Sequence, residues 1–345
     1  MIRGLRGAVH GVLFIVPALV AAATTTGGAH PAAADRKAPV PVILHTDIGS
    51  AFDDTWALVA LLKSPEVDLR LVVTDTGNTA YRARIVARFL EIAGRTDVEL
   101  ALGPKENDAE GGQADWVRGY DLAKYPGPVH ADGVEALIDT VMASQEALTL
   151  VAIGPCPALK AALQREPRIA AKLRLAGAYG SLRQGYGGKP KPEPEWNVHA
   201  NPAAARALLS APWLDAVLTP LDTSGVVELK DERYARVRDA EDPLLKALLE
   251  NYRLWCRHDE SCADHPERVA TESSVLYDTV AVYLALARDL VRTETLGVRV
   301  TDDGLTVVDA ARPKMDWATA WKSLDAYEEW LAERLTSPTV ARRKR

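Results

Sequence analysis

The chain has 345 residues, 48% of them hydrophobic, with a formal net charge of −6 and three cysteines. That length and apolar content suit one large α/β domain or two smaller ones around a sizeable core. The mild acidity excludes a nucleic-acid footprint, because the basic cluster Arg342-Arg343-Lys344-Arg345 reads as a solvated end.

The first 34 residues read as a secretory signal. Arg3 and Arg6 precede an apolar stretch from Val9 to Ala23, and small residues around Pro31-Ala32-Ala33-Ala34 follow. The stretch is short and proline-interrupted for a membrane span, and no later segment competes with it. The expected mature protein is exported, periplasmic or extracellular, starts near Ala34 or Asp35, and has no membrane contact; an uncleaved anchor is the alternative. Residues 39–336 are expected to form one domain, with 337–345 as a basic disordered tail.

Val40 to Leu44 is an apolar run of strand length that ends in His45 and Asp47. A glycine turn, the adjacent acids Asp53 and Asp54, and a helical apolar stretch from Trp56 to Leu62 follow. Three carboxylates thus crowd one strand-to-helix turn, where open α/β sheets bind ligands. Like charges at such a turn repel unless a cation or shared protons neutralise them, and hard oxygen ligands suit Ca²⁺. The bland alternative is that Asp53 and Asp54 only favour a helix start.

Asp68–Asp75 reads as a second strand ending in Thr76-Gly77-Asn78, and Ala80–Ala93 as a helix stopped by Gly94. Val98–Gly103 is a strand, Lys105–Gly133 a long loop, Gly133–Ala143 a helix and Leu148–Ile153 a buried strand running into Gly154-Pro155. Pro157–Gln164 is a helix, Leu173–Ala176 begins a strand, and a Gly/Pro-rich loop leads to Glu195-Trp196-Asn197. A helix from Asn201-Pro202 to Ser210, a strand over Ala216–Leu221 and helices over Leu244–Trp255 and Asp278–Val291 follow. A hairpin around Asp302-Asp303-Gly304 and a helix over Asp325–Leu335 close the chain. This alternation predicts an α/β fold with a single doubly wound, mostly parallel sheet, helices on both faces and a small late hairpin.

Cys256 and Cys262 share one polar stretch, and export would favour a local disulfide there. A zinc site with His258 and His265 is the competing reading. Cys156, in an apolar segment, reads as a buried thiol.

The polar strand ends carry a resemblance. Asp-x-Gly-x-x-x-Asp-Asp at Asp47–Asp54, the Thr76-Gly77-Asn78 turn, Thr149–Pro155, Glu195-Trp196-Asn197, Tyr277-Asp278, Asn201–Ala205 and Thr306–Asp309 are together similar to the inosine-uridine preferring nucleoside hydrolase family. The likeness runs in consistent order from about Pro41 to Leu335. It implies a Rossmann-like nucleoside hydrolase fold and calcium-dependent hydrolysis of the N-glycosidic bond of ribonucleosides, or of a related riboside. Asp47, Asp54, the Ile153 carbonyl and Asp278 would hold Ca²⁺. Asp53, Asn197 and Asp278 would grip the ribose 2′- and 3′-hydroxyls, Glu195 the 5′-hydroxyl, and Asn78 would orient the sugar near its anomeric carbon. Asp47 would act as base, and Tyr277 would line the substrate site. A homodimer or homotetramer is the family habit, and a disulfide at Cys256 and Cys262 would stiffen a lid over the base.

The chain departs from the family pattern at His45, where aspartate is usual, at Ala51, and at Tyr277, which replaces a proposed leaving-group histidine. Lys189 falls where an asparagine helps to hold the 5′-hydroxyl. The alternative function these departures raise is a catalytically impaired ribose- or nucleoside-binding protein of the same fold. A haloacid-dehalogenase-like phosphatase fails on chemistry, because His45 occupies the nucleophile position.

Overall fold

A computed structural model describes residues 38–340 of the chain. The expected signal segment and residues 341–345 of the expected tail lie outside the described residues. Of the remaining tail, the Val340 N–H still donates to the Leu62 carbonyl at 3.0 Å.

Among the described residues ten strands form one sheet: β1 (Val40–Thr46), β2 (Val67–Thr74), β3 (Glu99–Leu102), β4 (Val129–His130), β5 (Leu148–Ala152), β6 (Leu173–Ala178), β7 (Asp215–Thr219), β8 (Val291–Val300), β9 (Thr306–Val308) and β10 (Lys314–Trp321). Their order is β4-β3-β2-β1-β5-β6-β7-β10-β8-β9. The ladders from β4 to β10 are parallel, and β8 then pairs antiparallel with both β10 and β9. The α-helices are α1 (Asp53–Leu62), α2 (Thr79–Ile92), α3 (Gly133–Ala143), α4 (Pro157–Arg165), α5 (Trp196–Ala200), α6 (Pro202–Ser210), α7 (Leu221–Ser224), α8 (Asp231–Arg238), α9 (Pro243–Cys256), α10 (Glu260–Ala263), α11 (Arg268–Thr271), α12 (Thr279–Leu284) and α13 (Leu324–Thr336).

The parallel strands are apolar on both faces because helices cover both. In β1, Val42 and Leu44 face a core built with Trp56, Leu58, Ile85, Leu248 and Leu331, while Ile43 faces the opposite core with Leu137, Leu159 and Leu208. The chain winds outward to β2 on one side of β1 and to β5 on the other. Between the carboxyl ends of β1 and β5 the sheet therefore reverses direction, which opens the crevice where such folds bind ligands.

The doubly wound sheet, its two helical layers and the late hairpin agree with the sequence expectation; Val298 pairs with Val308 and Val300 with Thr306. Several details differ, among them the unexpected helix α8. The helix expected over Asp278–Val291 ends at Leu284, where the Tyr283 hydroxyl donates to Asp289 Oδ1 at 2.6 Å and accepts from the Leu290 N–H at 3.0 Å. That turn frees Val291 to begin β8. The long loop over 105–133 contains β4, which pairs with β3 through only two residues. Strand β10 was not anticipated, because its burial is set by insertion between β7 and β8 rather than by a strong apolar run of its own.

Candidate active site

The turn after β1 is built so that its acids face the crevice. Thr46 Oγ1 donates to Asp54 Oδ1 at 2.5 Å and accepts from the Ile48 N–H at 3.0 Å, tying the strand end to the first turn of α1. Arg82, on α2, reaches under the turn and donates to the carbonyls of Asp47, Ile48 (2.8 Å) and Thr76 (2.7 Å). Gly49 takes φ +102°, and a Cβ there would lie 2.7 Å from the Tyr81 ring. Glycine is required for both reasons.

Asp47, Ser50, Ala51, Asp53 and Asp54 form one wall of a cavity of about 130 Å³. Ile153 enters from the end of β5, Ala178 and Tyr179 from β6, Glu195, Trp196 and Asn197 from the start of α5, and Tyr277 and Asp278 from the start of α12. One carboxylate oxygen from each of Asp53, Asp54 and Asp278 lies within 4.8 Å of the others, all three residues being buried. Asp278 is 225 residues or so from the first two in sequence, so the fold itself brings the ends of the chain to one point.

Burial pushes these carboxyls up, and their mutual repulsion pushes further: Asp54 and Asp278 sit well above the ordinary range. Asp53 is raised to about 7 by burial, although a hydrogen bond with Asp278 pulls it back. Two carboxyls can share such a bond only with a proton between them. Asp47 is raised too, by burial, against the pull of Arg82. Among the described residues no lysine or arginine lines the cavity. A hard, all-oxygen set of buried acids without a facing side-chain cation fits a divalent ion such as Ca²⁺.

On the opposite wall Glu195 accepts from the N–H groups of Gly180 (3.0 Å), Asn197 (2.8 Å) and Val198 (3.2 Å). Burial raises it to about 7 against those three bonds. Asn197 Nδ2 donates to the carbonyls of Ala178 (3.0 Å) and Ile153 (3.3 Å), which turns its oxygen free of that pair and leaves the Ile153 carbonyl a second lone pair. Tyr186 and Tyr277 meet edge to face at 5.8 Å, and Trp196 stands 56% exposed beside them.

The structure therefore brings together Asp47, Asp53, Asp54, Ile153, Glu195, Asn197, Tyr277 and Asp278 in one cavity, but not Asn78. Asn78 caps α2 by accepting from the Tyr81 N–H at 3.1 Å, and its Nδ2 donates to the Asp108 carbonyl at 3.2 Å. Lys189 also stays out, paired with Glu193 at 3.0 Å. Tyr179 is a cavity residue that the sequence reading does not select, and Tyr186, one of several loop aromatics whose place the sequence leaves open, lines the cavity as well. Tyr179 directly follows β6, and a search of every strand end would have included it.

Beneath the cavity runs a buried polar chain. His45 Nε2 lies 2.9 Å from Asp75 Oδ2 as an ion pair, off the angle of a directional hydrogen bond. His45 Nδ1 is 3.1 Å from Cys156 Sγ, which is 2.7 Å from the Tyr179 hydroxyl, and that hydroxyl donates to the Gly154 carbonyl at 2.5 Å. Burial opposes a charge on His45, yet its contacts with Cys156 and Asp75 outweigh burial and hold its pKa well above the usual value.

A mostly parallel α/β sheet with a carboxylate-lined crevice at its switch point defines a small-molecule enzyme of the doubly wound class. The family model described as inosine-uridine preferring nucleoside hydrolase matches residues 42–329. The chain belongs to that family, and with it to the glycosidase enzymes. It is 33% identical over 187 residues to probable uridine nucleosidase 2 of Arabidopsis thaliana, a match covering 50% of this chain and 55% of that protein. It is 25% identical over 289 residues to the pyrimidine-specific ribonucleoside hydrolase RihA of Escherichia coli, covering 78% and 88%. Among solved structures it superposes on a plant nucleoside hydrolase, PpNRh1, with a TM-score of 0.71 at 24% identity, covering 87% of this chain and all of that one. A purine-preferring ribonucleoside hydrolase from Gardnerella vaginalis gives 0.70 at 22%, covering 86% and 98%.

Two outcomes follow from this geometry. A Cβ on Gly154 would lie 2.9 Å from the Asp47 nitrogen and 3.0 Å from its Oδ1. Gly154→Ala should displace Asp47 and lower kcat/KM about a hundredfold; an unchanged value would show that Asp47 is not positioned there. The second outcome concerns pH. Asp53 and Glu195 are each raised to about 7, so the folded protein keeps protons that the unfolded chain releases above about pH 4. These groups therefore oppose folding increasingly as pH rises through that window. The Tm of chelator-treated protein should fall between pH 5 and pH 8, and added calcium should raise it more at pH 8 than at pH 5. A larger calcium effect at pH 5 would contradict this.

Proposed function

We propose that the protein hydrolyses the N-glycosidic bond of ribonucleosides, or of a closely related riboside, with Ca²⁺ held by its buried acids. The observation that carries this reading is the convergence of Asp53, Asp54 and Asp278 opposite Glu195 and Asn197 in one cavity. Asp54, Asp278, Asp47 and the Ile153 carbonyl would hold the ion. When bound, it would supply a fixed positive charge that grips vicinal hydroxyls and makes a water more acidic.

The chain's own groups do the rest. Asp53, Asp278 and the Asn197 oxygen accept from the 2′- and 3′-hydroxyls, and Glu195, locked by three N–H donors, accepts from the 5′-hydroxyl. Asp47 takes the proton of the attacking water as general base. As the bond to the base breaks, positive charge grows on the sugar, and the surrounding carboxylates stabilise it electrostatically. The Tyr186, Trp196 and Tyr277 rings offer apolar faces to a planar leaving group. Tyr277 is a poor proton donor, since burial foremost, and then Asp53, push its phenol far above neutrality. The relatives are named for uridine, pyrimidine and purine substrates, so they support ribonucleosides as a class without selecting a base.

A second reading, a riboside-binding protein without turnover, is favoured by two observations: Asn78 is committed to a helix cap, and Tyr277 holds its proton. The Cys256–Cys262 disulfide supports export to an oxidising compartment.

Ribose release from uridine, cytidine, inosine, adenosine and guanosine decides between these readings. At least one should be cleaved, chelator should abolish turnover, and Asp278→Asn should do the same. The matching 2′-deoxynucleoside should be poorer by about 10⁴-fold, because buried acceptors lose their partner. Calorimetric ribose binding with no release from any nucleoside would establish the second reading instead.

A further inference from the structure

The Cys256–Cys262 disulfide sits at the end of α9, and neither cysteine lines the cavity. Its effect reaches the site through the residue before it. Trp255 Nε1 donates to the Ser50 carbonyl at 2.9 Å, in the acidic turn between Asp47 and Asp53. Its ring packs against Phe52 at 5.6 Å and stacks on Tyr252 at 5.9 Å, and Phe52 itself stacks on Tyr252 at 5.0 Å. Phe52 is the residue that enters α1 immediately before Asp53. From the other side Gly112 lies against the indole, where a Cβ would come within 3.0 Å of it. The strap that follows is fixed by Gln113, which bonds Thr55 on α1 and Asn251 on α9.

Trp255 thus clamps the turn that carries three of the four acids, from the last turn of a helix. Helix ends open most readily. The crosslink at Cys256 ties that end to Cys262, whose N–H is itself turned back onto the Asp259 carbonyl at 3.0 Å.

We propose that Trp255 is a positioning residue for the acidic turn, and that the Cys256–Cys262 disulfide is the latch that keeps it seated. A dithiol reductant would donate two electrons and two protons to the disulfide, yielding two thiols and its own cyclic disulfide, and would loosen Ser50–Asp54 without reacting with any residue that lines the cavity. For catalysis this rests on the calcium-dependent reading above, so the test includes a readout that does not.

Hydrogen exchange of the full chain, with and without a dithiol, reads the latch directly. Reduction, verified by a rise from one free thiol to three, should speed exchange over residues 49–56 at least about tenfold while β5 and β6 stay protected. The Cys256→Ser/Cys262→Ser variant should match the reduced protein, and Trp255→Phe should reproduce part of the change with both sulfurs still joined. Calcium affinity by calorimetry should weaken about tenfold on reduction, the scale on which supporting contacts move a metal site. KM should rise with it, and kcat at saturating calcium should hold. Unchanged exchange at 49–56 in a folded, fully reduced protein overturns the latch. An oxidised protein that binds no calcium overturns the functional reading instead, and the exchange result still decides the latch.

Discussion

The arrangement depends on one electrostatic fact: several carboxylates are buried side by side at the switch point of the sheet, and among the described residues no lysine or arginine lines the cavity they face. Buried like charges of this kind cannot all stay ionised. They must hold protons, as the raised Asp53, Asp54 and Asp278 do, or be met by an ion. The ion-free state costs folding stability that a purely structural site has no reason to retain, and a bound ion would restore it. The fold spends its covered faces, its two apolar cores and its crossover topology on holding these groups in place.

The support lies in contacts behind the cavity rather than in it. Arg82 gathers three carbonyls of the turns after β1 and β2, so the Asp47 backbone cannot drift outward. On the other side Gly154 is pressed against Asp47, and its carbonyl is held by Tyr179, which leads through Cys156 to His45 and Asp75. His45 stands where the resemblance to the family leads one to expect an aspartate. A histidine there can meet the buried Asp75 carboxylate as a partner where a second acid would add to the repulsion. Cys156 holds its place in this chain in a left-handed conformation (φ 60°), a strain that persists only where surroundings over-determine it.

Much of this was legible in the sequence. Acids at a strand-to-helix turn and polar residues near strand ends point to the crevice by topology, as with Asp47, Asp53, Asp54, Glu195 and Asn197; Asp278, at the start of a helix, is singled out by the family resemblance, and all six line the cavity. What escaped was set by tertiary contact. Asn78 follows a strand as the others do, yet its amide is consumed by a helix cap and by a loop 30 residues away. Tyr186 enters the cavity from a Gly/Pro-rich loop whose path no periodicity encodes. Cys156 and His45 are 111 residues apart, and nothing local announces that they touch. The paired cysteines were legible as a local bridge, but not that the bridge bears on Ser50 and Phe52 rather than on the cavity mouth.

The central claim is that a calcium ion completes this cluster of acids. A crystal of the protein soaked in calcium and ribose, with anomalous data, tests it most directly. The account predicts one strong peak about 2.3–2.6 Å from oxygens of Asp54 and Asp278, with the sugar's vicinal hydroxyls on its open side. Ordered ribose with no peak among these carboxylates at saturating calcium would contradict it.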